Sequence, residues 1–221
     1  MEMVAPPFFR RAGRTFYTTD FPISESLISQ SDQWQHHGLD WTTIGTSPGL
    51  AYGTQTGFSG NGGFDDSYAY LQGFGPNQYG SGVIKKDPNL SGCCHEFAIY
   101  LRRRDSAHSA VGYECGIAYN GQYGGITRWN GAYGDFTSPA AWQVNGGGTL
   151  PITPATGDLL EAQIVGNIIT MKLAGTVLIT ADISTAGSGP IWTEGNPGMG
   201  LFHRNAASTV HGFTKFTAKT L

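Results

Sequence analysis

Four side chains near the middle of the chain have the types and spacing for proton chemistry: Glu96, Tyr100, Arg102 and Glu114. The segment His95-Glu96-Phe97-Ala98-Ile99-Tyr100-Leu101-Arg102 alternates in the manner of a strand. Phe97, Ile99 and Leu101 fall on one face, and Glu96, Ala98, Tyr100 and Arg102 on the other. A turn over Asp105 to Ser109 returns the chain through Gly112 to Tyr119, with Tyr113, Cys115 and Ile117 inward and Glu114 outward. Both carboxylates then project from the face opposite the hydrophobic row. Two carboxylates placed across a sugar work as acid and nucleophile, or as acid and base with a water between them, according to their separation. Tyr100 with Arg102 would suit an elimination instead, the guanidinium neutralising a uronate carboxylate while the phenol moves a proton. The plainer reading is a structural network in which Glu96 and Glu114 pair with Arg102 or Arg128 on the sheet.

A second group, Arg128-Trp129-Asn130-Gly131, reads as a corner for stacking and hydrogen bonding. An indole lies flat on a pyranose face while Arg and Asn reach its hydroxyls; the alternative is a core tryptophan at the end of a strand. Tyr119 and Tyr123, and Trp34 with His36-His37, are weaker candidates for the same surface. The six histidines show no metal-ligand spacing, and no metal site is expected from them. No serine elbow is present, and the Gly57 to Gly63 loop lacks the Lys-Ser/Thr ending of a phosphate cradle. Of the cysteines, Cys93 and Cys115 share an inward side on alternation, so Cys93–Cys115 is the one bridge to test. Three reduced thiols are the alternative.

The elements that must position these residues are strands. Among 221 residues there are 33 glycines, 11 prolines and 12% aromatics, with only 13% charged residues and no stretch of helical periodicity. That composition implies short strands joined by tight turns, an all-β chain. It also leaves neutral polar side chains to cover much of the surface, which suits sugars. The formal net charge of −3 offers no global field for nucleic acid. No apolar run is long enough for a membrane span. The basic run Arg102-Arg103-Arg104 reads as a solvated turn at a strand end. Residues 1–15 read as a tail or edge segment, without the basic-then-apolar order of a signal peptide. Residues 16–221 read as one domain.

Along that domain, strands are expected at Phe16 to Phe21, Leu39 to Ile44, Leu50 to Gln55, Tyr68 to Leu71 and Tyr79 to Lys85, before the central pair. After Gly125 to Trp129 a long connection, Asn130 to Pro154, is expected to lie over one end. Leu160, Ala162 and Ile164 form one inward row and Ile169, Met171 and Leu173 the next; Val177 to Ile183, Gly195 to Phe202 and Gly212 to Ala218 follow. Roughly a dozen strands of ordinary length suit two antiparallel sheets packed as a β-sandwich.

The run Gly157-Asp158-Leu159-Leu160-Glu161-Ala162-Gln163-Ile164-Val165-Gly166-Asn167, the turn at Gly175, and Gly195-Asn196-Pro197-Gly198-Met199-Gly200-Leu201-Phe202 resemble the C-terminal half of laminin G-like members of the concanavalin A-like lectin/glucanase superfamily. The block from Phe97 through Arg102 to Tyr113 resembles the central strand pair of the same superfamily. The resemblance spans about residues 16–219 and implies a jelly roll whose concave sheet face holds a glycan. This fold carries lectins, glycosidases, lyases and adhesion modules alike. Neither the E-x-D-x-E strand of its glycosidases nor the R-x-E-x-R and Q-x-H strands of its alginate lyases occurs here, so no catalytic residue carries over. The expectation is a carbohydrate-binding module that recognises a poly- or oligosaccharide on the face bearing Glu96, Tyr100, Arg102, Glu114 and Arg128. A polysaccharide-cleaving enzyme, lyase or glycoside hydrolase, on the same face is the alternative, and a structural or adhesion protein the third reading. The resemblance also allows a structural Ca2+, with Asp65-Asp66 and Asp40 as oxygen donors. It implies an extracellular or secreted setting, a virion or cell surface included.

Overall fold

Alternating apolar and small or polar residues, broken by Gly-containing turns, give fourteen strands and no helix among the described residues of a computed structural model of the chain. It describes residues 13, 15–55, 66–90, 94–143, 152–185, 189–203 and 208–221. The strands are β1 (Phe16–Thr19), β2 (Thr42–Ser47), β3 (Leu50–Gly53), β4 (Ser67–Tyr70), β5 (Gln78–Lys85), β6 (His95–Ser106) and β7 (Ser109–Ala118). They continue with β8 (Tyr123–Gly131), β9 (Phe136–Gln143), β10 (Leu159–Val165), β11 (Ile168–Leu173), β12 (Thr176–Asp182), β13 (Asn196–His203) and β14 (Gly212–Thr220). Their hydrogen-bonded order is β12-β11-β10-β5-β14-β3-β2-β4-β13-β6-β7-β8-β9, with β1 on β14. The pairs are antiparallel except β2 with β4.

The ribbon folds over on itself at β2, which pairs with β3 of the back layer and β4 of the front. Its two ends, β12 and β9, come into contact. Between the layers lies the core. Phe97, Ile99 and Leu101 from β6 and Tyr113, Cys115 and Ile117 from β7 meet Leu160, Ala162 and Ile164 from β10, the β11 row Ile169, Met171 and Leu173, and Phe213 and Phe216. The inward rows expected from alternation are the observed ones. Burying each large apolar side chain contributes about 1.5–3 kcal/mol.

One end of this core is polar. His95, His203 and His211 are all fully buried, with ring centroids 5.5 Å (His95–His203), 5.1 Å (His203–His211) and 6.3 Å (His95–His211) apart. His211 Nδ1 accepts the Asp87 backbone N–H at 3.4 Å, and the Asp87 carboxylate is engaged by Ser208 Oγ at 2.6 Å and the Asn89 N–H at 2.8 Å.

The structure corrects several expectations. Strand β6 does not end in a solvated arginine turn but runs on to Ser106, with Arg103 fully buried. A β-bulge makes this fit: Leu101 pairs with Tyr113 and Arg104 with Val111, so Arg102 and Arg103 together oppose Gly112. Arg102 sits at φ +51 and its N–H is held by Gln78 Oε1 at 2.8 Å. Gly112 is at φ +129, where a Cβ would lie 2.7 Å from the Arg102 carbonyl oxygen, so only glycine fits opposite the bulge. The connection after Asn130 is not a plain loop, because its first part forms β9, paired with β8. Trp34 belongs to the core, 5.0 Å edge-on from Phe216. Cys115 is a free buried thiol, which excludes the Cys93–Cys115 bridge, and Cys94 is disulfide-bonded, which excludes three reduced thiols. Cys93, the Gly57 to Gly63 loop and Gly146-Gly147-Gly148 lie outside the described residues.

Candidate functional site

The outer face of the front layer gathers acids around a floor of two small, buried residues, Ala98 and Gly116. In the β6–β7 register Glu96 pairs with Ala118, Ala98 with Gly116 and Tyr100 with Glu114. The two glutamates thus stand on either side of the small Ala98–Gly116 pair and lean toward it. A Cβ on Gly116 would lie 3.1 Å from Glu114 Oε1 and 3.8 Å from Glu96 Oε2. Two oxygens that close to one point are less than twice the larger distance apart.

Each glutamate has its other oxygen tied. The Tyr123 hydroxyl donates to Glu96 Oε1 at 2.5 Å. The Trp129 indole N–H donates to Glu114 Oε2 at 2.7 Å. The Tyr100 hydroxyl lies 3.2 Å from Glu114 Oε2 and 3.1 Å from Asp66 Oδ2, with one proton to share between them. Asp66, just before β4, is therefore a third carboxyl of the cluster. Glu114 and Asp66 are buried, while Glu96 keeps partial exposure.

Crowding carboxyls in a poorly hydrated place favours their neutral forms. Burial, then the charge of Glu114, pushes Glu96 up to about 7 against the Tyr123 hydrogen bond. Burial, then Glu114 and Glu96, holds Asp66 well above the ordinary aspartate range. Burial also raises Glu114, opposed by the Trp129 hydrogen bond, the charge of Arg103 and Tyr100. The cluster therefore holds protons under conditions in which exposed carboxyls have lost theirs.

Beside the acids lies a fully buried cation. The Arg103 guanidinium sits over the rings of Tyr68 at 4.1 Å, Tyr100 at 4.6 Å, Trp129 at 5.7 Å and Trp41 at 5.9 Å. On the far side of Tyr68 lies the half-buried Asp105, which accepts hydrogen bonds from the Tyr68 hydroxyl, the Tyr70 hydroxyl at 2.5 Å, and the His37 and Gly38 N–H groups at 2.9 Å each. Burial works to raise Asp105, but those hydrogen bonds and Arg103 hold it below the usual range. Arg103 and the half-buried Asp105 thus stand beside carboxyls that hold their protons more strongly than exposed ones do.

The structure brings Glu96, Tyr100, Glu114, Trp129 and Tyr123 to one face and takes the other sequence candidates away from it. Arg102 is turned off the face by the bulge. Its guanidinium donates to the carbonyls of Pro76 at 2.8 Å, Trp192 at 2.8 Å and Gly166 at 2.7 Å, so it ties loops together and Arg103 takes the place expected for it. Arg128 pairs with Tyr113 on the core side, donates to Thr137 Oγ1 at 3.0 Å and lies against Gly189. Neither arginine pairs with the glutamates in the way the structural-network reading required. Asn130 serves the β8–β9 turn through Asp135 at 3.1 Å. Tyr119 lies behind the sheet, its hydroxyl on the Leu90 carbonyl at 3.1 Å and its ring against His95. Trp129 is 3% exposed and edge-on to Trp41, which leaves no free face for a sugar to stack on.

Sequence reasoning missed Arg103, Asp105 and Trp41 for this face and offered Asp66 only as an oxygen donor for Ca2+. The alternation Tyr68-Ala69-Tyr70 was the available signal for an aromatic row, while a bulge leaves only a glycine opposite as its trace. Of the calcium candidates, Asp66 belongs to the carboxyl cluster, Asp40 sits 3.0 Å from His108 Nδ1, and Asp65 lies outside the described residues. Among the described residues no group of three or more His, Cys, Asp or Glu is disposed to hold a metal ion, and no helix is long and apolar enough to cross a membrane.

The folded-over ribbon has counterparts among solved structures. The carbohydrate binding module CBM66 from Bacillus subtilis superposes with a TM-score of 0.54 at 16% identity, covering 88% of this chain and 96% of that one. The chain has a concanavalin A-like jelly-roll fold. The Crh5 transglycosylase in its apo form gives 0.55 at 13% identity over 94% of this chain and 85% of that one. The Emp46p carbohydrate recognition domain, in its potassium-bound form, gives 0.53 at 8% identity over 92% and 98%. At these identities the likeness is one of jelly-roll architecture. No family model and no curated protein matches the sequence.

Proposed function

We propose that the chain binds a polysaccharide across the outer face of the front sheet and cleaves it there, with Glu96 as proton donor and Glu114 as its partner. The observation that carries this reading is the pair of glutamate oxygens converging over Gly116 while each carboxyl is tied by its other oxygen. A sugar seated on the Ala98–Gly116 floor would meet a protonated Glu96 on the more open side. That proton goes to the departing glycosidic oxygen. Glu114 Oε1 then faces the sugar carbon as nucleophile, or takes a proton from the attacking water. Trp129 and Tyr100 donate to Glu114 Oε2 and so favour the ionised form of Glu114 that either role requires before the step begins. Structural relatives titled as a carbohydrate binding module, a carbohydrate recognition domain and a transglycosylase support a glycan as the partner. The disulfide at Cys94 supports an oxidising, extracellular setting.

The second reading is glycan binding without cleavage, favoured by the burial of Glu114 and Tyr100. A panel of neutral and acidic polysaccharides, read for new reducing ends and unsaturated uronates together, separates the two. Hydrolysis predicts reducing ends alone, lost by a factor of at least about 1,000 in Glu96→Gln while glycan retention persists. Retention with no product from any substrate would move the assignment to a binding module. Unsaturated products would overturn the hydrolytic roles given to the two glutamates.

A further inference from the structure

The far end of β6 carries a second polar feature that the acid cluster does not use. Arg104 lies eight residues along the strand from Glu96, about 26 Å away at the usual rise. There, segment 73–76 leading into β5 and segment 193–196 leading into β13 form an open groove of about 690 Å³ with Arg104. Its walls are Phe74, Pro76, Arg104, Thr193, Glu194 and Asn196.

The floor of this groove is built and rigid. Gln78 Nε2 donates to the Gly75 carbonyl at 2.8 Å and to the Gly195 carbonyl at 2.7 Å, while its oxygen holds the Arg102 N–H. Asn196 Oδ1 accepts the Phe74 N–H at 3.1 Å, and Arg102 Nε reaches the Pro76 carbonyl. Gly195, at φ +128, lies so close to the bulge that a Cβ there would sit 2.2 Å from the Arg102 carbonyl. Three chain segments are thus stapled together by groups that point away from the opening.

The groups that face the opening are of another kind. Arg104 Nη1 and Glu194 Oε2 are 3.9 Å apart, with side chains 46% and 80% exposed, so neither is committed to a tight pair. Thr193 adds a hydroxyl, and the Asn196 amide, whose oxygen is taken, presents its NH2. Pro76, with the small part of Phe74 that the core leaves uncovered, supplies a narrow apolar strip. A guanidinium and an amide that donate, a carboxylate that accepts from two adjacent hydroxyls, and an apolar strip for C–H faces match a sugar with vicinal hydroxyls. The opposite charges of Arg104 and Glu194 cancel, which favours a neutral sugar over a uronate.

We propose that this groove is a second carbohydrate-binding site, which takes a neutral oligosaccharide remote from the acid cluster. It rests on the reading of the chain as a glycan-handling protein, but not on cleavage at Glu96. Titrating the 15N-labelled protein with cellotetraose, laminaritetraose, xylotetraose and a galacturonate trimer reads both sites at once. At least one neutral tetrasaccharide is expected to shift the amides of Glu194 and Gly195. Arg104→Ala and Glu194→Ala, both exposed positions, should each weaken that binding at least about tenfold, and Glu96→Gln should leave it unchanged. Shifts at Glu96 and Gly116 with none at Glu194 and Gly195 would overturn the second site and leave the front-sheet reading standing. Shifts confined to the groove would support it and overturn the front sheet as the binding face. A trimer of galacturonate that binds the groove more tightly than every neutral tetrasaccharide would overturn the class assigned here, and silence at both places would overturn both readings.

Discussion

Acidification should weaken the fold through His203 and His211 by an amount their surroundings set. Burial, then the charge of His95, pushes His203 down to about 4 although Asp87 opposes it. Burial, then His203 and His95, pushes His211 down to about 3, again against Asp87 and with Lys86 adding to the shift. A histidine kept neutral in the fold takes its proton in the unfolded chain first, near 6.5. Its contribution is therefore intact above that value and is lost as the pH falls toward the folded one. Going from about pH 7.5 to about pH 5, each ring should cost about 2 kcal/mol. The carboxyls of the front face act with opposite sign. Glu96, Asp66 and Glu114 keep protons in the fold that the unfolded chain gives up, so their penalty lifts as the pH drops. The histidine effect must accordingly be read as a difference. Urea unfolding of the parent and of the single variants His203→Gln and His211→Gln, at both pH values, supplies it. The stability gap between parent and each variant should narrow by about 2 kcal/mol on acidification. A gap unchanged within about 0.5 kcal/mol would refute the reasoning, because the rings would then titrate alike in both states.

Three further outcomes follow from strands β6 and β7 of the front layer. Gly116→Ala places a methyl 3.1 Å from Glu114 Oε1, and should cut turnover about a hundredfold by parting the two carboxyls, measured as reducing-end release beside a melting curve that moves little. Arg103→Met should destabilise the protein by about 2 kcal/mol in urea, since it removes a fully buried guanidinium stacked on Tyr68 and Tyr100; unchanged stability would mean that the cage does not hold this corner. Cys115 is buried and its thiol is pushed up by burial and then by Glu114, so it should stay inert to a thiol reagent until denaturant is added, and labelling of the native protein at a free-thiol rate would contradict its placement.

The sequence made the layers legible because alternation is a local signal. Phe97, Ile99 and Leu101, or Ile169, Met171 and Leu173, declare their face whatever the partner strand is. The same rule placed Glu96, Tyr100 and Glu114 together. It failed at Arg102, where one extra residue reverses the parity of everything after it, so the cation on the face is Arg103. Arg128 was misplaced by reading Trp129 and its neighbours as a single corner, although adjacent strand residues face opposite ways. Asp66 could not be tied to Glu114 from sequence at all, since β13 and β6 separate its strand from β7. Long-range neighbours of that kind leave no spacing to read.

The meeting of β12 and β9 at the ends of the ribbon bears on how the protein behaves in a crowded solution. A sheet of this many strands would ordinarily present two rows of unpaired amides and carbonyls, each able to recruit a strand from another chain. Here the two rims touch over part of their length, so the feature that lets a single ribbon wrap a core also narrows the stretch of edge open to another chain, which is left mainly along the exposed part of β12.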